Sequence, residues 1–466
     1  MLWACVLLPH LALDGVLRRR ADEGPLALVD GPANARTLVA VNASAHEAGL
    51  RPGQRLTTAQ ALLAQFDVMP YDAGDIVHWQ TFLAGVAYRY SAEVSLLPDA
   101  VVLEVGRSHG LFGAWPVIEQ RLRTDLTELG FRHRLAAAAT PHAAYVLAGT
   151  HDGFAAASPE IMRRALAAVP LHQARLPAMA AEALPGMGIR SLGQLLRMPR
   201  DGLQRRFGSE LLHALDRLIG DRPAGLTLYR PPDRIDWRIE FIHEVENMAA
   251  LVFPLRRLTG DLSAYLAGRA GGVQRFILYL EHRTGSTAVP VGLVTPARAA
   301  ELLFEAARGR LERSTLPAPV LALRLLAEHL PPFVPEGRDL FDERPAHALP
   351  FDQLRERLRA RLGDAALVQW GTTTDPRPEQ SQRMGASDVD RVEPLPRPTW
   401  LLPRPMPWAG PSPRVLAGPE RLETGWWDDG TTRRDYYIVE TAQGQRAWVY
   451  CTPDASSGWM LHGWFA

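Results

Sequence analysis

Between Leu184 and Gly208 the chain reads LPGMGIRSLGQLLRMPRDGLQRRFG, a Gly-Met-Gly turn followed by five arginines. Proline and glycine at this spacing permit only short helices joined by tight turns. The stretch looks like a helix-hairpin-helix element that grips nucleic-acid backbone. Gly186 and Gly188 allow a backbone approach that no residue with a side chain would allow, so amide N–H groups at a helix start can meet a phosphate. Arg190, Arg197, Arg200, Arg205 and Arg206 then add charge-assisted contacts that carry affinity but no sequence information. A helical hairpin whose turn merely needs glycine is the plain alternative.

With 466 residues the chain is long enough for three or four domains. Its formal net charge is zero and its pI is near 7.3, so nucleic-acid contact has to come from local basic patches. All 51 Lys+Arg residues are arginine. That excludes Schiff-base chemistry and the usual phosphate-binding lysine. Cys5 and Cys451 lie at opposite ends and form neither a disulfide framework nor a metal site, so no metal and no cofactor are expected, and a reducing, intracellular setting fits. The opening MLWACVLLPHLALDGVLRRR is apolar and then basic, the reverse of a signal peptide's order, and too short to span a bilayer. Leu2 to Leu8 reads as a buried strand, and no membrane contact is expected.

Further short apolar runs at Val101 to Val105 and Arg134 to Ala139 alternate with helical patterns such as Trp115 to Leu129, which predicts a central sheet with helices. Pro159 to Gly220 turns wholly helical, with breaks expected at Pro177, Pro185 and Pro199. From Ile239 to Leu330 the pattern is α+β: helix over Ala249 to Gly268, strand over Val273 to Arg283, helix over Ala297 to Arg313. Thr372 to Pro413, rich in Pro, Arg, Asp and Ser, reads as a flexible linker. Pro419 to Ala466 is dense in Trp and Tyr with alternating strand signals, and reads as a small β-rich module or docking segment.

This order of strand, insertion, strand, helical hairpin and separate α+β unit resembles the Y-family translesion DNA polymerases. The tail run GPERLETGWWDDGTTRRDYY, with LHGWFA at the end, looks like a Y-family relative found in bacterial mutagenesis cassettes. The resemblance implies an α+β multidomain right hand. Palm would occupy residues 1–165 with a fingers insertion at about 11–75, a helix-hairpin-helix thumb 166–235, a little finger 236–335, a clamp-binding peptide and linker 336–417, and a small aromatic-rich β-type C-terminal module 418–466.

Polymerisation needs two Mg²⁺ ions clamped by carboxylates, because the metals activate the nucleophile and neutralise the leaving pyrophosphate, and hard cations demand oxygen ligands. In active members of the family the first strand ends in Asp-x-Asp followed by an aromatic. Those positions fall here on Leu7, Pro9 and Ala12, and Met1 to Leu13 contains no Asp or Glu at all. The second acidic motif falls on Asp99 and Ala100, so one carboxylate remains. The nucleotide-gripping Tyr and Arg of the fingers fall near Ala43 and His46.

With the chemistry gone, the resemblance implies a scaffold that binds primer-template DNA through its backbone and recruits an error-prone C-family DNA polymerase during SOS-induced mutagenesis. Asp339, Leu340 and Phe341 are similar to peptides that bind the bacterial beta sliding clamp, two apolar anchors behind a turn-setting Asp. Leu349-Pro350-Phe351 is a second candidate. Arg256, Arg257, Arg269, Arg275 and Arg283 are expected to track duplex phosphates across a sheet face. Trp426, Trp427, Arg434, Tyr436 and Tyr437 are the expected partner-binding set, for a RecA-like protein of the ImuA type and the C-family polymerase. Two readings compete: a working translesion polymerase, and a generic helix-hairpin-helix module of a repair nuclease complex.

Overall fold

The computed structural model describes residues 1–20, 24–156, 158–333, 351–368, 370–373, 375–384, 396–427, 431–453 and 458–466. By contact, the chain divides into two units, Met1–Arg361 and Leu362–Ala466.

The first unit opens with β1 (Trp3–Leu7), buried along its whole length. A strand covered on both faces needs a continuous apolar run rather than an alternating one. Next come α1 (Leu11–Leu17), β2 (Leu26–Asp30), β3 (Thr37–Val41), α2 (Ala43–Glu47), α3 (Leu56–Leu62), β4 (Asp67–Pro70) and α4 (Ala73–Ala87). Strands β2, β3 and β4 form their own small sheet, order β3-β2-β4, within the span expected for an insertion. There β5 (Val94–Leu97), β6 (Ala100–Glu104), α5 (His109–Phe112), α6 (Trp115–Glu128), β7 (Arg134–Ala138), α7 (Pro141–Thr150) and β8 (Phe154–Ala155) follow. The central sheet runs β5-β6-β1-β7-β8, with β1 antiparallel to both neighbours.

Alternation along β1 sorts its side chains between two cores. Trp3, Cys5 and Leu7 pack with α7 and the helical segment, made of α8 (Pro159–Ala168), α9 (Ala178–Gly186), α10 (Leu192–Leu196) and α11 (Arg200–Ile219). Helix α9 ends at Gly186, one residue after Pro185, so the break expected there falls at this helix end. A further sharp kink falls at Gly208 in α11, at φ 73°.

Ala4, Val6 and Leu8 face the other core, shared with α4, α6 and a fourth region. That region consists of β9 (Ile235–Val245), α12 (Val252–Gly268), β10 (Val273–Glu281), β11 (Ser286–Ala297), α13 (Ala300–Leu311) and β12 (Val320–Ala327), with sheet order β11-β10-β12-β9. Sequence pattern exposed only β10 of these strands. Pro290 and Gly292 mask β11, and both are tolerated because β11 is an edge.

Helix α12 lies against α4 so closely that a Cβ on Gly268 would sit 1.9 Å from the carbonyl oxygen of Gly85. Two turns earlier on α12, Asp261 forms a buried bidentate pair with Arg18 at 2.5 and 2.9 Å. The Arg18 guanidinium also lies 4.6 Å from the Trp79 and Phe131 rings.

Helix α14 (Phe351–Leu362) closes the first unit. In the second unit a short hairpin, β13 (Trp370–Thr372) with β14 (Gln382–Met384), precedes β15 (Trp400–Pro407), β16 (Arg414–Thr424), β17 (Thr432–Glu440), β18 (Arg446–Cys451) and β19 (Met460–Trp464). The last five form one sheet, order β15-β19-β18-β17-β16. Part of the expected linker is therefore strand. Trp400 pairs with Trp464, and the prolines of β15 are accommodated at a sheet edge where the register shifts between Leu401 and Met406. Among the described residues, no helix is long and apolar enough to cross a membrane.

Candidate functional site

Leu7 stands directly opposite Ala100 in the β1–β6 ladder, and the two are 3% and 0% exposed. Their side chains belong to the core shared with the helical segment, so this strand end is filled by packing. Pro9 is exposed beyond it, and Ala12 is half-buried in α1 against the insertion's small core. Asp99 occupies the β5–β6 turn at φ 51°, and its carbonyl accepts the Leu8 amide at 2.8 Å. Its carboxylate accepts from the Tyr145 hydroxyl at 2.6 Å and from Arg175 at 3.0 and 3.3 Å. Burial, reinforced by Asp99, drives the Tyr145 phenol well above its ordinary range. The carboxylate of β6, Glu104, is buried at its far end and accepts the amides of Leu2, Gly106 and Arg107 at 3.0, 3.0 and 3.1 Å. Among the described residues, no group of three or more His, Cys, Asp or Glu side chains could hold a metal ion.

In the α9–α10 hairpin, Gly186 and Gly188 do face open space. The turn's amides, however, are already engaged. Met187 and Ile189 donate to Leu184, Gly188 to Pro185, and Arg190 and Ser191 to the Gln194 side chain. The expected route, turn amides meeting a phosphate, is therefore occupied by the hairpin's own bonds. A glycine that the pattern did not single out has the stricter role: a Cβ on Gly193 would lie 2.7 Å from the Ala167 carbonyl, so α10 can approach α8 only with glycine there.

What the hairpin leaves to a ligand is charge. Arg190, Arg197, Arg205 and Arg206 are exposed and, among the described residues, have no carboxylate within 4 Å. Arg200 differs, since it pairs with Asp216 at 2.8 Å. Arg205 and Arg206 immediately precede the Gly208 kink.

The fourth region does not present its arginines as expected. Arg256, Arg257 and Arg269 lie on or just after α12 rather than across a sheet face. Arg256 pairs with Glu301 at 3.2 Å, Arg269 with Asp233 at 2.5 Å and Arg283 with Glu244 at 2.7 Å, while Arg257 donates to the Leu129 carbonyl. Arg275, exposed on β10, is the member of the set without a carboxylate partner among the described residues that also lies on the sheet. The open face is laced with ion pairs, Arg324 to Asp236 and Arg238 to Glu240 and Glu281.

In the tail the expected set divides. Trp426 and Trp427 follow β16 at its turn toward β17, 80% and 57% exposed and edge-to-face at 5.6 Å. Tyr436 is not a surface residue. It is 2% exposed, stacks on Trp448 at 4.0 Å, and its hydroxyl bonds His462 Nδ1 at 2.8 Å. Tyr437 is half-buried against Trp459, and Arg434 is held by Glu379 at 3.0 Å and by the Tyr436 hydroxyl at 3.0 Å. Alternation decides this: Tyr436 points into the small core that its neighbours avoid. Asp339, Leu340 and Phe341 lie outside the described residues, as do Leu349 and Pro350, while Phe351 opens α14 and is exposed.

No family model matches the chain. Two relatives, each called Protein ImuB, from Caulobacter vibrioides strains NA1000 / CB15N and ATCC 19089 / CIP 103742 / CB 15, are 28% identical over 462 residues, covering 90% of this chain and 100% of theirs. The chain is thus ImuB-like along most of its length. Among solved structures, the post-insertion binary complex of Dbh DNA polymerase has a TM-score of 0.40 at 12% identity, covering 70% of this chain and 98% of that one. The crystal structure of DinB from Sulfolobus solfataricus has a TM-score of 0.37 at 12% identity, covering 71% and 99%.

Proposed function

We propose that this ImuB-like chain is a non-catalytic adaptor of polymerase descent, which binds DNA and the beta sliding clamp and recruits an error-prone C-family polymerase for SOS translesion synthesis. Residues 1–165 would act as palm with fingers, 166–235 as thumb, 236–335 as little finger, 336–417 as clamp peptide and linker, and 418–466 as the interaction module, in a nucleoid-associated cytoplasmic protein.

The observation that carries the reading is Leu7 packed against Ala100 where carboxylates would hold metal. Two magnesium ions need several anionic oxygens. Asp99 lies at this strand end, and its charge is already met by Arg175. DNA would be gripped by the exposed guanidinium groups of Arg190, Arg197, Arg205 and Arg206, which have no carboxylate within 4 Å among the described residues and would position the backbone without reading bases. Asp339, Leu340 and Phe341 would engage the clamp, and the exposed Trp426–Trp427 pair would anchor a RecA-like partner or the polymerase, since exposed aromatics of this kind make interface hot spots.

Primer extension by the purified chain with Mg²⁺ or Mn²⁺ tests the core of this reading. No template-dependent incorporation is expected, and incorporation at any rate above a no-enzyme control would make the chain a working polymerase instead.

A further inference from the structure

We propose that the groove between α4, the end of α6 and α12 is a docking site for a partner protein's apolar segment that carries a carboxylate. The groove encloses about 450 Å³. Its walls are apolar, formed by Val86, Leu129, Ala264 and Ala267, with Phe253 43% exposed at the rim.

Among its cations, Arg257 is the one without a carboxylate partner among the described residues. Asp261 is consumed by Arg18, Arg256 by Glu301 and the Phe304 ring, and Asp125 by Arg89 at 3.6 Å and the Tyr90 hydroxyl. Arg257 makes one hydrogen bond, from Nη2 to the Leu129 carbonyl at 2.8 Å, and has no carboxylate within 4 Å among the described residues. Its Nε is buried with no acceptor. Burial, together with nearby Arg18, holds this guanidinium below its ordinary pKa.

A half-buried cation with no carboxylate within 4 Å among the described residues is costly, and an arriving carboxylate would supply that charge. The apolar walls would bury the hydrocarbon attached to it. Asp125 and Glu128 at the same groove repel a polyanion, so a single carboxylate on an apolar segment is favoured over a nucleic-acid strand. Glu128, exposed and without a partner among the described residues, would compete for Arg257 when the groove is empty.

The test uses the full chain with ¹⁵N-labelled arginine, and hexanoate as a probe that joins an apolar chain to one carboxylate. Because the Arg257 Nε–H is shielded from solvent, its resonance should be resolved, disappear in Arg257→Gln, and shift saturably with hexanoate but not with hexylamine. Glu128→Gln should tighten hexanoate several-fold. Ala264→Glu, which places a carboxylate in the groove, should abolish the response, and it serves if Arg257→Gln does not fold. No saturable shift, an equal shift in Ala264→Glu, or a shift produced by inorganic phosphate or duplex DNA rather than hexanoate would overturn the proposal.

Discussion

Arg175 donates to both carboxylate oxygens of Asp99 across 76 residues of chain, and both residues hold left-handed backbones at φ 51°. Such a conformation costs of order 1 kcal/mol or more for a residue with a Cβ and is tolerated best by Asn and Asp. The pair ties the β5–β6 turn to the loop that leads into α9, with Tyr145 bonded to both partners. The acid is therefore part of an internal brace.

If it is a brace and nothing more, Asp99→Asn should lower stability by no more than about 1 kcal/mol, because the pair is a third to nearly half exposed and Asn accepts the same backbone. Asp99→Val should cost a further ~1–3 kcal/mol, since a branched Cβ resists positive φ. Urea unfolding of both variants checks this, and neither should alter DNA affinity.

The Arg18–Asp261 pair differs in kind, because its side chains are 1% and 5% exposed. Asp261→Ala would strand a buried guanidinium between aromatic rings and should cost roughly 3–5 kcal/mol. The double change Arg18→Met with Asp261→Leu should recover most of that loss, because it removes both charges together. Thermal melting of the single and double variants decides it; a single variant as stable as the parent would mean that water reaches the site.

Legibility in the sequence followed from how locally each feature is determined. Leu2 to Leu8 announced a doubly covered strand because both its faces are apolar, and the missing acids of that strand were plain for the same reason. The five arginines of the hairpin could be named, but not which would be free: Arg200 is neutralised by Asp216, sixteen residues away. The fourth region's arginines failed similarly, because their counter-ions come from other elements 36 to 45 residues distant. Tyr436 and Tyr437 are adjacent and chemically alike, so only the strand's register tells which face of the sheet each one packs on. The Gly85–Gly268 contact left no trace in pattern at all, since each glycine alone reads as a flaw in a helix.

That register predicts a separation in the tail. Tyr436→Ala removes a stacked ring and the hydroxyl partner of His462, and should destabilise the second unit by about 3–5 kcal/mol. Trp426→Ala with Trp427→Ala should change stability by no more than ~0.5 kcal/mol per site while weakening the proposed capture of a RecA-like protein or polymerase. Near-UV circular dichroism and pull-down, measured on the same preparations, separate folding from binding.

His78 supplies a pH dependence in the first unit. Burial, helped by the Arg19 guanidinium, lowers its pKa from the ordinary 6.5 to about 4. The folded chain thus keeps this imidazole neutral where the unfolded chain takes up a proton, so stability present above pH 6.5 is lost as pH falls toward 4. The loss attributable to His78 should be roughly 3 kcal/mol at 1.36 kcal/mol per unit. His78→Gln should flatten the stability curve over that window; an unchanged slope would assign the acid sensitivity to other groups.

Salt dependence separates free arginines from those whose charge is already met. Each phosphate neutralised releases counter-ions and adds about 0.9 to the slope of log affinity against log salt. Arg205→Gln with Arg206→Gln should therefore reduce that slope by roughly 1.8 and weaken binding alike across DNA sequences. Arg200→Gln should change it far less, because Asp216 holds that guanidinium at 2.8 Å and would have to be displaced first. Fluorescence anisotropy with two unrelated duplexes over a salt series measures both effects. Equal slopes for the double variant and the parent would move the DNA contact off the hairpin, and an Arg200 effect as large as the pair's would show that the Asp216 carboxylate is no obstacle to phosphate capture.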